Sequence, residues 1–450
     1  MRSGQIFRVS VVILLSAIFL GLLACMTLFH PRKQQIPVFP GVQGFGTNTP
    51  AGRGGEILKV TTLADSGKGS LREALGKRGS RIVVFEVGGI ISLEKELIVS
   101  RPYLTVAGQT APSPGILLKG AGIVVATHDV LIQHLRIRCG DDPGGPSPGS
   151  RDALKIVNPS ENVVIDHVSA SWATDENMSI WVKLDGSVVR NITIRNSIIS
   201  EGLNNSIHPE GAHSKGFLIG NNIENLSLIG NLFAHNKTRN PLVYGNVSLL
   251  AANNVFYNTG SSSFLHISDG WRQGPTRATI VGNIFIDGPD TPSGACAVKI
   301  GKDTPDSRVF LSGNRYSGSI LCDSGTIDPV ATSPSVWIKP LRVLDGNHAE
   351  TSILSRVGAR PADRDPVDRR VVHEAGTGTG RIIDSPNQVG GWPVLGNSFR
   401  AFPVPENPEG DDDDDGYTNI EEILHQMAFQ VEGTALPAGQ SAGGSAKLVD

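Results

Sequence analysis

The sequence predicts an all-β protein, a right-handed single-stranded parallel β-helix, and three observations support this fold class. Short apolar segments recur along the chain, each carries an Asn or a His at a similar place, and no helical stretch separates them. Glycine contributes 53 of 450 residues, whereas charged residues make up only 18% and aromatic residues 6%. This composition suits repeated tight turns between short strands and argues against a helical bundle.

The repeat itself consists of seven segments in which apolar or β-branched residues precede a polar residue. That residue falls at His134, His167, Asn196, Asn231, Asn254, Asn283 and Asn314, in steps of 33, 29, 35, 23, 29 and 31. Gly108 stands at the same place in an earlier coil. One coil cannot bury its apolar face alone, so the coils must stack, and we predict that Asn231 and Asn254 stack with their amides hydrogen-bonded. A propeller would need blades of about 40 residues with hairpin signals, which the sequence lacks.

The two ends of the stack need cover. Ser70 and Glu73 have the spacing of a capping box, which predicts a short N-terminal capping helix over the first coil. We expect the β-helix to occupy residues 36–320 and a peripheral C-terminal wrap, rich in Pro, Arg and Asp, to occupy 321–405. We also expect residues 406–450 to form an acidic calcium-loop tail whose end is disordered.

Residues 1–35 are expected to be a signal peptide or a membrane anchor. The run from Val9 to Phe29 is mostly apolar, is preceded by Arg2 and Arg8, and is long enough to span a bilayer. Lipidation at Cys25 and a buried helix are the alternatives. We expect an exported chain that is secreted, periplasmic or membrane-anchored at the cell envelope.

The charge distribution limits the classes of partner that the chain can bind, and the cysteine content limits the disulfides that it can form. Residues 1–35 carry four cations and no acid, and residues 409–422 carry eight acids and no Lys or Arg. The remaining body of the chain is close to neutral and lacks the basic stripe that nucleic acids need. We therefore expect a monomer without a nucleic-acid partner. Cys296 and Cys322 can pair in an oxidising compartment, which leaves Cys139 unpaired.

Four motifs carry a resemblance to a known family. They are Gly-Ser-Leu-Arg-Glu-Ala-Leu at 69–75, Ala-Gly-Gln-Thr-Ala-Pro at 107–112, Ile-Asp-His at 165–167 and Arg-Asn-Pro at 239–241. Together they resemble the pectate lyase family of parallel β-helices, over residues 39–393. The resemblance implies an acidic polysaccharide substrate and a calcium site on one parallel sheet that binds the uronate carboxylate.

The implied site residues follow by position. Asp152 and Asp175 match metal ligands of the family, and Glu176 can compensate for Ser179, which stands where the family has another acid. Arg239 matches the arginine that removes the C5 proton. We expect Arg239 to share an open groove with Asp152 and Asp175, about 10–15 Å from them.

Further side chains are candidates for substrate contact or proton transfer. Tyr244 replaces a second family arginine and is a candidate substrate contact. The loop 208–215 offers His208 as a contact and His213 or Lys215 as a base, unless this loop is merely structural. We interpret His167, next to Asp166, as structural because it belongs to the ladder.

The C-terminal acidic run has EF-hand spacing. Positions 1, 3, 5, 6, 7, 9 and 12 of such a loop are filled by Asp411, Asp413, Asp415, Gly416, Tyr417, Asn419 and Glu422. A helical stretch follows, as in dockerin-like tails. The alternative is a solvated acidic linker.

These features lead to one functional hypothesis with two alternatives. We expect a polysaccharide lyase that cleaves pectate or a related uronic-acid polymer by calcium-assisted β-elimination. The alternatives are a non-catalytic carbohydrate-binding or cell-surface β-helix protein, and a glycoside hydrolase on the same fold. The hydrolase would need paired carboxylates at glycosidase separations, and no such pair is evident.

Overall fold

Short parallel strands make up most of the regular secondary structure in the described part of the chain. The computed structural model describes residues 36–268, 274–304, 306–322, 330–344 and 348–434. The first strands are Glu56–Val60 (β1), Arg81–Phe85 (β2), Val87–Ser92 (β3), Leu97–Val99 (β4), Leu104–Ala107 (β5), Ile116–Lys119 (β6), Ile123–Val125 (β7), His128–Gln133 (β8) and Leu135–Arg138 (β9). They are followed by Leu154–Val157 (β10), Glu161–Asp166 (β11), Ser169–Ser171 (β12), Glu176–Trp181 (β13), Val189–Arg195 (β14), Ile198–Ser200 (β15), Lys215–Ile219 (β16), Ile223–Ile229 (β17) and Leu232–Ala234 (β18). The remainder are Leu242–Val243 (β19), Val247–Ala252 (β20), Val255–Tyr257 (β21), Ser263–Ile267 (β22), Arg277–Val281 (β23), Ile284–Ile286 (β24), Cys296–Ile300 (β25), Arg308–Ser312 (β26), Ser319–Cys322 (β27) and Ser398–Phe399 (β28).

These strands stack into three sheets, and a typical coil contributes one strand to each. Sheet A runs in the order β1-β2-β5-β8-β11-β14-β17-β20-β23-β26. Sheet B runs β4-β7-β10-β13-β16-β19-β22-β25-β27, and sheet C runs β3-β6-β9-β12-β15-β18-β21-β24. All these pairings are parallel, and only the short β28 joins sheet C antiparallel, beside β3. The prediction of an all-β, right-handed parallel β-helix is confirmed.

The core lies inside the coil and runs along the stack. Equivalent apolar residues of successive coils pair in register, as Val163, Ile192 and Leu226 do in sheet A. Phe233 stacks on Phe256, and Phe256 stacks on Phe285, each with ring centroids 4.8 Å apart. The interior is therefore a set of continuous columns of like side chains, which no single coil could bury.

The predicted asparagine ladder is present at the bend between sheets A and C. The Nδ2 of Asn231 donates to Oδ1 of Asn254 at 2.9 Å, and Asn254 donates to Asn283 at the same distance. Asn283 continues the chain of bonds to Asn314 at 3.0 Å. Each of these asparagines is buried or half-buried, so the ladder satisfies polar groups that water reaches poorly.

One part of the predicted ladder is wrong. His134, His167 and Asn196 occupy the preceding position, where the backbone is left-handed with φ of 58°, 51° and 48°. In the later coils this bend position is taken by Gly230, Asn253 and Gly282, one residue before the ladder. Two adjacent positions with different requirements were thus merged, because Asn suits both the left-handed bend and the inward amide.

Four α-helices lie around the stack in the part of the chain that the structure describes. They are Leu71–Gly76 (α1), Ala349–Arg356 (α2), Pro366–Thr377 (α3) and Asn419–Glu432 (α4). In α1, the predicted N-cap Ser70 accepts a hydrogen bond from the backbone N–H of Glu73 at 3.2 Å, and the inner face of the helix is buried. Helices α2 and α3 were not predicted, because their sequences share no repeat with the coils.

Helix α3 is attached to sheet C by a buried ionic cluster. Arg138 donates to Asp365 at 2.6 Å and to Asp368 at 2.7 Å, and Arg136 lies 3.5 Å from Asp368. All four side chains are almost completely buried. Asp365 also caps α3 by accepting from the backbone N–H of Asp368, so the helix start and the ion pairs share one carboxylate.

Helix α4 returns to the first coils. Ile420 and Leu424 pack on Ile82 and Val84, which point outward from sheet A. The Nε of Arg53 lies 2.9 Å from the carboxylate of Glu421. The C-terminal segment therefore covers apolar surface of the N-terminal coils.

The cysteine prediction is confirmed, and the predicted export segment is outside the described part of the chain. A disulfide joins Cys296 to Cys322, whose Cα atoms are 5.7 Å apart, and Cys139 is buried and free. Within the described residues, no helix has both the length and the apolar character needed to cross a bilayer. The run from Val9 to Phe29 lies outside the described residues.

Candidate active site

Four neighbouring strands of sheet B bring the candidate residues together. Asp152 precedes β10, Glu176 opens β13, Lys215 opens β16 and Arg239 precedes β19. Glu176 and Lys215 are register partners, and Lys215 in turn forms a bridge with Thr238, next to Arg239. Residues separated by up to 87 positions in the chain thus lie side by side at the N-terminal ends of neighbouring parallel strands.

The three acids form a compact cluster. Carboxylate oxygens of Asp152, Asp175 and Glu176 lie within 4.8 Å of one another. Burial raises the pKa of Asp152 to about 7, and the charge of Asp175 adds to this effect, whereas Lys155 opposes it. Crowded and partly desolvated carboxylates of this kind are costly unless a cation stands among them.

Two residues beside Asp152 change its surroundings. The hydroxyl of Ser179 donates a hydrogen bond to Oδ2 of Asp152, and the Nζ of Lys155 lies 3.5 Å from the same oxygen. Ser179 therefore holds an acid in place instead of adding a carboxylate. Lys155 was missed, although its place between the buried Leu154 and Ile156 marks an outward-facing strand position.

Arg239 lies against the acidic cluster. Its Nη1 donates to Oε1 of Glu176, and 23% of its side chain is exposed. Burial lowers the pKa of Arg239, while the neighbouring Tyr244, Asp175 and Asp152 act in the opposite direction. The spacing of 10–15 Å expected between Arg239 and the acids Asp152 and Asp175 stays a prediction, since the direct contact of Arg239 is with Glu176.

The loop 208–215 contributes a pair of histidines to the same place. Nε2 of His213 lies 3.1 Å from Oδ1 of Asp175, and Nε2 of His208 lies 3.8 Å from that oxygen. The two rings are stacked with centroids 3.5 Å apart. Burial lowers the pKa of His208, with the charge of His213 as the next cause, and burial also lowers the pKa of Lys215.

Tyr244 closes the set of predicted residues in this groove. It is half-buried, directly follows β19, and donates its backbone N–H to the carbonyl of Ile219 at 2.9 Å. Its phenol is close enough to Arg239 to affect the pKa of the guanidinium. Every predicted catalytic, substrate-binding and metal residue of the β-helix therefore gathers on one face of sheet B.

The acidic tail forms a second, separate group. Carboxylate oxygens of Asp411, Asp413 and Asp415 lie within 4.8 Å of one another and are exposed. Gly416 has φ of 96°, and its N–H donates to Asp411 at 3.0 Å. Burial together with the three aspartates raises the pKa of Glu422 to about 7. Tyr417, at the position that supplies a backbone carbonyl in an EF-hand, donates its N–H to Asp415 at 2.9 Å.

Comparisons with known proteins indicate the family and the fold of this chain. No family model matches the chain. It is 41% identical over 272 residues to the probable pectate lyase C of Aspergillus flavus, a match that covers 60% of this chain and 59% of that protein. It is 40% identical over 427 residues to the probable pectate lyase C of Neosartorya fischeri, covering 91% and 95%. The major cedar-pollen allergen jun a 1 has a similar fold, with a TM-score of 0.51 at 19% identity over 70% of this chain and 92% of that chain.

Proposed function

Because the chain belongs to the pectate lyase family, we propose that it cleaves pectate or a related uronic-acid polymer by β-elimination on the outer face of sheet B. The observation that carries this proposal is the contact between Arg239 and the cluster of Asp152, Asp175 and Glu176. A basic group and a cluster of carboxylates are thereby adjacent on the outer face of sheet B.

The reaction defines what the groove must supply. A base removes the C5 proton of a uronate, the electron pair forms the C4–C5 double bond, and the C4–O bond breaks with proton uptake by the departing oxygen. Negative charge develops beside a carboxylate that is already charged, so positive groups positioned there lower the barrier. Arg239, Lys215 and Lys155 are cations on this face beside the acidic cluster.

Arg239 is proposed as the residue that accepts the C5 proton. A guanidinium is normally protonated in water, which makes it a poor base. Burial lowers the pKa of Arg239 and so reduces this disadvantage. Its hydrogen bond to Glu176 favours the charged form, so Arg239 becomes a better base when Glu176 is engaged by another partner.

Asp152, Asp175 and Glu176 are proposed to hold calcium. Three carboxylates within 4.8 Å, one of them with its pKa raised to about 7, provide hard oxygen donors whose mutual repulsion a divalent cation relieves. When bound, calcium would engage the substrate carboxylate and offset its charge. Glu176 would then be shared between this site and Arg239.

The remaining groove residues are proposed to orient the sugar. Lys215 and Tyr244 flank Arg239 and can bind a uronate carboxylate or hydroxyl. His208 is proposed as a substrate contact, and His213, fixed by Asp175, as the second candidate for proton transfer.

We also propose the domain organisation expected from the sequence. Residues 36–320 form the β-helix, with α1 covering its N-terminal end; 321–405 wrap around it; and 406–450 carry a separate calcium loop. Residues 1–35 direct export.

The decisive experiment is an assay of the purified protein on polygalacturonate with calcium and with a chelator. We expect ultraviolet absorbance from unsaturated products with calcium and its loss with the chelator. New reducing ends without that absorbance would instead indicate a hydrolase. Polymer binding without any cleavage would indicate a carbohydrate-binding protein.

A further inference from the structure

Another group of side chains that could hold a metal ion lies at the bend between sheets A and C, beneath the end of α4. His134 and His167 stack at successive bends with ring centroids 5.1 Å apart. Asp166 precedes His167, and Glu432 approaches both rings from the last residue of α4. Ligand atoms of all four lie within 4.8 Å of one another.

These atoms lack the partners that buried polar groups normally have. His134 Nε2 is buried and makes no hydrogen bond, and Asp166 Oδ1 and His167 Nδ1 are buried and lie 3.1 Å apart without a hydrogen bond of regular geometry. The three side chains are at most 3% exposed. Three such atoms meeting at one point are rare in folded proteins and call for an ion or an equivalent partner.

The hydrogen bond made by one ring nitrogen of His134 leaves the other ring nitrogen able to bind a cation. Its Nδ1 lies 2.8 Å from the carbonyl oxygen of Ala359, so that nitrogen carries the proton and donates it. In the neutral ring, Nε2 then presents a lone pair to Oε1 of Glu432 at 3.5 Å. A backbone carbonyl that fixes the far nitrogen in this way is the usual support of a metal-binding histidine.

The distances between the ligand atoms agree with a tetrahedral ion. His167 Nδ1 lies 3.1 Å from Asp166 Oδ1 and 3.6 Å from Glu432 Oε1, and the distance from His134 Nε2 to Glu432 is 3.5 Å. Ligands placed about 2.0–2.1 Å from a tetrahedral zinc ion are separated by about 3.3 Å.

The surroundings are compatible with such a site. Gln133 donates to Oδ2 of Asp166 at 3.0 Å, which leaves Oδ1 facing the cluster, and Arg195 lies 3.4 Å from Oδ1 at its edge. A cavity of about 280 Å³, lined by Phe39, Arg195, His167 and Glu432 among others, adjoins the cluster and gives an ion access.

We propose that His134, Asp166, His167 and Glu432 form a structural site for a divalent transition-metal ion, with zinc as the best fit. Two imidazoles and two carboxylates suit zinc better than calcium, which prefers oxygen ligands alone. The ion would fasten the end of α4 to the bends of β8 and β11. This proposal is independent of the proposed lyase activity.

The test uses the full chain with its calcium sites saturated. The His208, His213 and Asp175 group can also bind zinc, so His213→Gln serves as the background. We expect one Zn²⁺ per chain by titration calorimetry and a tetrahedral absorption spectrum with Co²⁺. Adding Glu432→Gln should weaken Zn²⁺ binding at least about tenfold, whereas the exposed control Glu224→Gln should not.

A second measurement guards against a folding defect. Zn²⁺ should raise the melting temperature of the background protein and of Glu224→Gln, but not that of Glu432→Gln or His167→Gln. Without zinc, Glu432→Gln should melt close to the background, because Glu432 ends its helix and is partly exposed. The proposal is overturned if His213→Gln alone abolishes binding, or if Glu432→Gln binds Zn²⁺ unchanged.

Discussion

Two opposing influences act on the pKa of Arg239. Desolvation lowers its pKa, while the acids beside it stabilise its charge. A planar guanidinium can contact Glu176 and a substrate carboxylate at the same time, which an ammonium group cannot reproduce. Under the proposed mechanism, the geometry of this one residue determines whether this face of sheet B can catalyse elimination.

This leads to a prediction for Arg239→Lys. Turnover of polygalacturonate should fall at least about 100-fold, because positioned proton transfer contributes 10²–10⁴-fold in enzymes. Initial rates of product absorbance measure this loss. Arg277→Lys, an exposed position on sheet A, is the matched control and should retain its activity. A lysine variant as active as the parent would refute the role given to Arg239.

Resemblance to the family identified Asp152, Asp175 and Arg239 from the sequence, and the structure places these residues on one face of sheet B. The sequence could not reveal that Ser179 supports Asp152, or that His208 and His213 stack on each other beside Asp175. Those contacts depend on how loops return to the sheet, which no periodicity encodes.

Among the elements, the asparagine ladder is the one whose energetics are easiest to isolate. Asn254→Leu should destabilise the protein by about 1–3 kcal/mol, because it leaves the buried amide groups of its neighbours without partners. Urea denaturation gives the free energy of unfolding. Asn314→Leu should cost less, since Asn314 ends the ladder and is half-buried. Equal losses in the free energy of unfolding at the two positions would contradict the view that the ladder bonds stabilise one another.

The proposed calcium loop before α4 is a second element with a local test. Asp411→Ala should abolish the calcium-dependent protection of α4 amides from hydrogen exchange, because it removes the first ligand of the loop. Asp412→Ala is the control, since position 2 of such a loop supplies no ligand. Hydrogen exchange resolved by peptide distinguishes α4 from the groove. Absence of any calcium effect on α4 in the intact protein would exclude the site.

The repeat predicted the elements of the coils well and those of the wrap poorly. Strand positions follow from apolar segments that any coil must contain. Helices α2 and α3 instead depend on long-range partners, such as Arg138 with Asp365, which lie 227 residues apart. The repeat aligned His167 with Asn231, although His167 occupies the bend position one residue before the ladder position of Asn231. The sequence could not separate these two positions, because both accept Asn.

For the molecule as a whole, the ionic cluster of Arg136, Arg138, Asp365 and Asp368 links the wrap to the β-helix. The arginines lower the pKa of Asp365 to about 2, against an ordinary value of 3.8, although burial alone would raise it. A carboxyl group with a lowered pKa stabilises the fold above its unfolded pKa, and this contribution is lost as the pH falls through the folded value.

We therefore predict that the cluster's contribution disappears between about pH 4 and pH 2. Asp365→Asn should cost about 3–5 kcal/mol near neutral pH, because it leaves buried arginine charge uncompensated. The difference in unfolding free energy between the parent and the variant should shrink across that acidic interval. A difference that does not change with pH would show that Asp365 is not charged in the folded state.

The return of α4 to the first coils has a consequence for the order in which the protein is made. Ile82 and Val84 leave the ribosome long before Ile420 and Leu424, the residues that cover them. At roughly 5–20 residues per second, the interval is on the order of tens of seconds. During that time a newly synthesised β-helix carries an uncovered apolar strip beside β1, an edge strand of sheet A. A chaperone with affinity for extended apolar chain would find its substrate there, and a nascent chain stalled before residue 419 would remain in that vulnerable state.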